Sequence, residues 1–325
     1  MERLLMAHFL SRPNRFTALV ELPDGSTARA HVADPGRLRD LLFKGNQVLL
    51  APKEGGRLRY RLVAARSGEG WILIDSRIHN DLAQLVMPHI PFLSVFRSLR
   101  REVRLDGHRI DFKLDDYWLE VKGCTLVKKG IAYFPDAPTK RGLEHVRLLE
   151  AQPSAGILFI VMAEAELMAL NFATDPAFSQ ELASSHLDLF AFSFKFDGEA
   201  LEPLGLVPTT REEDARSILP FSLKLKRAIE AYNRYHEPEA RYDLIEVNRD
   251  SFVLALTGYV ALSCCLFDYM DDIIYEADLG EWEAIAWRES GGQLLVRYAR
   301  KGEEPDIPRG WISVGDRGKC HLPHK

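Results

Sequence analysis

The chain predicts an α/β and β fold in three parts: a small amino-terminal β-barrel, a central α/β sheet domain and a carboxy-terminal α+β module. Three observations carry this. From about Asn14 to Asp75 apolar and polar residues alternate in short runs separated by turn residues. From Arg101 to Phe196 the order is strands, helix, strand, helix, strand, the pattern of an α/β sheet. Beyond Pro203–Thr210, which reads as a linker, a long amphipathic helix is followed by further strands and a hairpin. The expected divisions are 1–80, 81–208 and 209–325.

In the first part RFTALVEL, STARAHV, QVLLAPK, RYRLVAARS and WILIDS each read as a strand, with turns at Pro23-Asp24-Gly25, Gly45-Asn46 and Gly55-Gly56. GRLRDLLF reads as a short helix between the second and third runs. Five short strands and one helix suit an OB-like barrel. Such barrels often bind nucleic acid through aromatic and basic groups on one face. An SH3-like barrel serving only as a scaffold is the alternative.

The second part opens with a helical linker, His79 to Phe96, broken at Pro88 and Pro91. REVRL, RIDFKL and YWLEVKG make three consecutive strands, and LVKKGIAYF is expected to extend their sheet as a hairpin around Lys129-Gly130. Thr139 can cap a helix running through Arg141 to Glu150. AGILFIVM and LDLFAFSFKF are continuous apolar runs of the fully buried type. Between them Asp175-Pro176 opens a second helix to about Ser184. The third part reads as the helix LPFSLKLKRAIEAYNRYH, the strands YDLIEV and FVLALTG, a segment around Leu262 to Tyr275, and a hairpin turning at Gly291-Gly292. It shows no chemistry: FDYMDDIIYEAD lacks the glycine and ligand spacing of a calcium loop.

Composition narrows the class. With 325 residues, 46% hydrophobic and 27% charged, the chain is an ordinary globular protein large enough for two or three domains. No secretory signal is read in MERLLMAHFLSRPNRF, and the longest apolar run, Phe252 to Phe267, is too short and too polar to span a membrane. Cys124, Cys264, Cys265 and Cys320 show no CxxC spacing, which excludes a zinc ribbon or disulfide framework and points to reduced thiols in the cytoplasm. Cys320, His321 and His324 read as a solvated tail. The net charge of −5 does not advertise nucleic-acid binding, but its distribution is uneven. Bases cluster early, at Arg37 and Arg39, Arg57 to Arg61, Arg97 to Arg104, Lys128 and Lys129, and Lys140 and Arg141, while acids concentrate later. A basic face and a mixed-charge surface both fit this pattern.

Asp111 and the Glu120-Val121-Lys122 triplet carry the chemistry. They lie on adjacent predicted strands, RIDFKL and YWLEVKG, joined by a tight turn. Strand side chains alternate, so Glu120 and Lys122 face one way and Val121 the other. Two carboxylates and one ammonium suffice for metal-assisted phosphodiester hydrolysis. The carboxylates hold a hard cation, Mg²⁺ or Mn²⁺, and the lysine helps the attacking water. This is the Asp…Glu-X-Lys arrangement of PD-(D/E)XK nucleases. The alternative is weak pairing on a solvated strand. If the two acids face each other unshielded, removing Glu120 would relieve repulsion and stabilise the apoprotein. A second constellation, FPDAPTKRGLEH, places Lys140, Arg141 and His145 near a helix start, an arrangement suited to a backbone phosphate. A capped helix with surface charges is the plain alternative.

At these words the chain resembles the sugar fermentation stimulation protein A family. RPNRFTALVEL, HVADPGRLRDLLFKGNQVLL, REV with RIDF, WLEVKGCTL, FPDAPTKRGLEH, AGILFIV and DPAF occur in the family's order over roughly residues 10 to 208. The resemblance implies an OB-like barrel followed by a PD-(D/E)XK-like domain, DNA as partner, and regulation of maltose or other sugar metabolism. It puts Asp111, Glu120 and Lys122 at the nuclease positions and Arg109, Asp136, Thr139, Arg141 and His145 in other strong words; Arg37 is retained after the barrel histidine. Two departures stand out: Asp34-Pro35-Gly36-Arg37 replaces the usual Asn-Thr-Gly-Arg, and MAEAELMAL lacks the usual Arg and Asp. Residues from about Thr209 lie outside the resemblance. The expected functions are a metal-dependent nuclease, a non-catalytic DNA-binding regulator of sugar-metabolism genes, or a protein-interaction scaffold.

Overall fold

The computed structural model describes residues 4–34, 36–53, 55–56, 58–68, 70–259, 266–303 and 307–315. Pro35, Arg57, Cys264, Cys265, Cys320, His321 and His324, singled out above, lie outside them.

The first five strands are β1 (Leu5–Asn14), β2 (Thr17–Glu21), β3 (Thr27–Val32), β4 (Gln47–Pro52) and β5 (Tyr60–Ser67). β1 is long enough to serve two neighbours: its first half pairs with β4 and its second with β2. A parallel contact of β3 with β5, Ala30 opposite Tyr60 through Val32 opposite Leu62, closes the ring. The order 1-2-3-5-4-1 is that of an OB barrel, and small inward residues (Ala18, Val20, Ala30, Val32, Val48, Leu62, Ala64) fill it. Two details differ from the reading of the sequence. The barrel's first strand is β1, which was not predicted, and WILIDS is β6 (Gly70–Leu73), a strand outside the ring. GRLRDLLF is not a helix. Leu38 sits at φ +49°, a conformation that cannot enter a right-handed helix, and only a single turn closes from Leu38 O to the N–H groups of Leu41 and Leu42.

β6 pairs with β5 and touches the central sheet at Trp71–Phe196. That sheet follows α1 (His79–Val86) and holds β7 (Leu99–Leu105), β8 (His108–Leu114) and β9 (Tyr117–Cys124). Next come β10 (Leu126–Lys128), β11 (Ile131–Phe134), α2 (Lys140–Glu150), β12 (Ala155–Val161), β13 (Leu167–Leu170), α3 (Pro176–Ser184) and β14 (Asp188–Phe196). β9 is central: antiparallel to β8, parallel to β12, which in turn is parallel to β14. Both helix starts follow the expected chemistry. Thr139 Oγ1 accepts the Gly142 N–H at 3.0 Å, and Asp175 Oδ1 accepts the Phe178 N–H at 3.1 Å. α2 and α3 cover one face of the sheet through Val146, Leu149, Phe178 and Leu182.

The hairpin β10–β11 turns at Lys129-Gly130 as expected but does not extend the β7–β9 sheet. It begins a second one, because β11 pairs in parallel with β13. The stretch read as a linker is not one either. It forms β15 (Leu201–Leu206) on β14 and β16 (Thr209–Thr210) between β13 and the next strand. The rest comprises α4 (Ala215–His236), β17 (Arg241–Val247), β18 (Ser251–Thr257), α5 (Leu266–Glu276), β19 (Trp282–Ser290), β20 (Gln293–Arg300) and β21 (Ile312–Ser313). Among the described residues the second sheet runs β10-β11-β13-β16-β17-β18-β20-β19-β21. One face, with Leu244, Leu254 and Val296, packs under α4 and α5. The other, with Ile245, Val253 and Leu295, joins the core that contains Leu119, Val121 and Phe190 of the first sheet. No helix among the described residues is long and apolar enough to cross a membrane.

Candidate functional site

β8 and β9 are paired only from Leu114–Tyr117 to Phe112–Leu119. Beyond that they part, and Asp111 stands at the fork. Its Oδ2 accepts the Val121 N–H at 2.9 Å, taking the place of a ladder partner. Its Oδ1 accepts Nδ2 of Asn80, on the first turn of α1, at 2.8 Å. Burial and then the nearby Glu120 charge raise the Asp111 pKa, and these two hydrogen bonds oppose the rise.

Glu120 lies across the fork on β9. Its Oε1 accepts Lys122 Nζ at 2.7 Å and a hydrogen bond at 2.6 Å from Nδ1 of His145 on α2. Burial alone would raise its pKa, but the Lys122 charge and the His145 hydrogen bond outweigh burial and bring it down to about 2. Oε2 of Glu120 is buried and has no hydrogen-bond partner. Glu120 and Lys122 share a face, as strand alternation requires.

The structure thus brings Asp111, Glu120 and Lys122 together. It moves His145 out of the role expected of it. The ring is 2% exposed, and both nitrogens are used, Nδ1 by Glu120 and Nε2 by the Arg141 Nε–H at 3.4 Å. With Nε2 accepting, Nδ1 carries the proton and donates to Glu120. His145 therefore supports the carboxylate and is closed to a nucleic-acid backbone. The signal was in the spacing: Gly142, His145, Val146 and Leu149 form the buried face of α2. Arg141 and Lys140 are exposed at the start of that helix. Arg109 is exposed on β8, paired with Glu102 at 2.9 Å, and Arg37 is exposed beside the barrel.

Two contributors were missed. Asn80 is 31 positions from the carboxylate it holds. His79, beside it, packs its ring onto Gly123, where an added Cβ would fall 1.9 Å from Cε1. Burial lowers the His79 pKa to about 4 against the pull of Asp75. No sequence pattern announces either residue beyond the polar start HisAsnAsp of α1. A second carboxylate pair lies between barrel and central sheet. Asp34 Oδ1 accepts the Gly36 N–H at 2.6 Å, and a Cβ on Gly36 would be 2.8 Å from Asp34 and 3.0 Å from Asp136. Arg12 ties this loop by donating to the carbonyls of Asp34, Gly36 and Arg37.

Among the described residues no three His, Cys, Asp or Glu side chains converge as a metal cluster. Two carboxylates with one unpartnered buried oxygen still fit a hard cation that keeps part of its water shell, as Mg²⁺ does.

Comparison with known proteins agrees with this fold. The "SfsA N-terminal OB domain" matches residues 10–74, and the "Sugar fermentation stimulation protein RE domain" matches residues 77–199. A sugar fermentation stimulation protein homolog of Thermoplasma acidophilum is 38% identical over 216 residues, 63% of this chain and 92% of that one. The homolog of Thermoplasma volcanium is 40% identical over 218 residues, 65% of this chain and 97% of its own. Among solved structures, Pyrococcus furiosus SfsA in complex with Ca²⁺ shares the fold with a TM-score of 0.59 at 24% identity, covering 64% of this chain and 96% of that chain. With barrel, central sheet and more than 90% of these relatives' length accounted for, the chain belongs to the sugar fermentation stimulation protein family.

Proposed function

We propose that the protein binds DNA and hydrolyses phosphodiester bonds at Asp111, Glu120 and Lys122 with Mg²⁺ or Mn²⁺. The observation that carries this is the fork between β8 and β9. Two carboxylates flank it, an ammonium lies 2.7 Å from one of them, and Glu120 Oε2 is buried with nothing to bond. Asp111, Glu120 and the Val121 carbonyl would hold the cation, which supplies charge to a phosphate oxygen and acidity to a water. Asn80 and the Val121 N–H fix one carboxylate, and His145 fixes the other. Lys122 has three N–H donors and Glu120 takes one, which leaves two to orient a water and a phosphate oxygen. Arg141, Lys140, Arg37 and Arg109 are exposed cations suited to backbone phosphates. The relative solved with Ca²⁺ supports a divalent-cation site at this fold.

A binding-only regulator of sugar-metabolism genes is the second reading. It is favoured by the Lys122–Glu120 ion pair, which engages the ammonium the chemistry needs. A cleavage assay on plasmid and single-stranded DNA with Mg²⁺ or Mn²⁺, wild type against Lys122→Ala, with gel shifts on the same samples, separates the two. Metal-dependent cutting lost in the variant supports the hydrolase. Salt-sensitive shifting without cutting supports the regulator.

A further inference from the structure

We propose that the cleft between the barrel, the β10–β11 hairpin and the first turn of α4 is a phosphate-binding subsite for a nucleic-acid strand, and that Arg216 brings the carboxy-terminal region into it. The proposal rests on the nucleic-acid reading above and gives that strand a path.

The cleft measures about 770 Å³ and is lined by Arg37, Arg39, Lys128, Lys129 and Arg216, and by the buried Thr125. Five cations face two carboxylates, Asp40 and Asp136. Asp40 is already engaged, 3.6 Å from Lys128. Asp136 is half-buried and accepts the Leu38 N–H, and burial disfavours its charged form. Among the described residues Arg37, Arg39, Lys129 and Arg216 form no ion pair, in a chain whose net charge is −5. Positive charge is therefore concentrated here against the trend of the whole molecule.

Arg216 is the second residue of α4 and exposed; the carboxylates of Glu213 and Asp214 just before it offset part of its charge, so the cleft's positive character comes chiefly from Arg37, Arg39 and Lys129. Thr125, in the cleft lining, lies three residues beyond Lys122, so the two are at most about 10 Å apart.

The test is fluorescence anisotropy of a labelled single-stranded oligonucleotide over a salt series, without divalent metal so that the strand stays intact. Arg216→Ala and Lys129→Ala are each expected to weaken binding about 3- to 10-fold and to reduce the slope of log K against log salt by about 0.7. Arg216 is exposed, so its thermal midpoint should not fall, which a structural role would require. Arg249→Ala, an exposed cation outside the cleft, should leave affinity and slope unchanged. Salt-dependent wild-type binding that is untouched by Arg216→Ala and Lys129→Ala overturns the subsite and leaves the hydrolase reading intact. An equal loss in Arg249→Ala also overturns it, since a diffuse field would then explain the affinity. Absence of any salt-dependent binding by the wild type overturns both.

Discussion

Nδ1 of His145 lies 2.6 Å from Oε1 of Glu120, with both side chains nearly closed to solvent. The same oxygen receives Lys122, so one oxygen of the carboxylate is held from the helix and from its own strand while the other is buried without a hydrogen-bond partner. Glu120 is thus fixed by the protein's own side chains.

Metal-free protein should therefore lose stability in acid through Glu120. Its folded pKa is lowered to about 2 from 4.5, so its contribution is full above 4.5 and is lost as pH falls towards 2. The shift corresponds to about 3 kcal/mol. Glu120→Gln in EDTA should cost most of that at pH 7 and little near pH 2, as read by urea unfolding across pH. This reverses the expectation that removing Glu120 relieves repulsion with Asp111, because the variant leaves Lys122 without its anion. A variant as stable as wild type at pH 7 would contradict the ion-pair network.

Asn80 should matter for metal and little for folding. It holds Asp111 Oδ1 at 2.8 Å, and supporting hydrogen bonds of this kind are worth about 10- to 100-fold in metal affinity. Asn80→Ala should weaken Mn²⁺ binding within that range in a calorimetric titration. Unchanged affinity would remove Asn80, and with it the Asp111 end of the site.

Asp34 is predicted to be a liability at neutral pH. Burial first, and then Asp136, raise its pKa to about 6 from 3.8. Because the folded pKa is raised, folding penalises the ionised form: the cost is absent below 3.8 and complete above 6. Asp34→Asn keeps an oxygen acceptor for the Gly36 N–H. It should stabilise the protein by roughly 1–3 kcal/mol at pH 8 and by almost nothing at pH 4. Equal stability of the two proteins at pH 8 would show that the carboxylate is not strained there.

Gly123 is required because His79 occupies the space of its side chain. A Cβ would fall 1.9 Å from Cε1 and 2.3 Å from Nδ1 of a buried ring. Gly123→Ala should cost roughly 1–3 kcal/mol by overpacking, and adding His79→Ala should recover part of it. Additive losses in the double variant would place the conflict elsewhere.

The site was legible where local rules govern it. Alternation put Glu120 and Lys122 on one face, the Asp111 spacing suggested a shared hairpin, and Thr139 and Asp175 announced their helices. What was missed depends on distant contacts. Asn80 reaches Asp111 only because α1 lies over the fork. The β10–β11 hairpin looks the same in sequence whichever sheet receives it, and its partner is β13. β1 carries register shifts at Phe9–Ser11 and Ser11–Asn14, which break the alternation that reveals a strand. Leu38 shows how one left-handed residue can override helical spacing.

The carboxy-terminal residues should prove inseparable from the central sheet, although sequence alone divides the chain near 208. Ile245, Val253 and Leu295 share a core with Leu119, Val121 and Phe190. Arg211 donates to the carbonyls of Leu182, Ser185 and Leu187 at the end of α3 and pairs with buried Glu246 at 3.0 Å. Gln293, at the tip of the β19–β20 hairpin, accepts the Phe92 N–H and donates to Ser94, holding the loop that follows α1. Cutting after residue 208 removes all of these and uncovers large apolar side chains worth roughly 1.5–3 kcal/mol each. The truncated chain is expected to bind a hydrophobic dye and to aggregate on size-exclusion chromatography. A monomeric fragment with a cooperative melt would instead make residues 209–325 an independent module. The family domains alone would then hold the fork, and the packing of the second sheet on the first would be an association of finished parts.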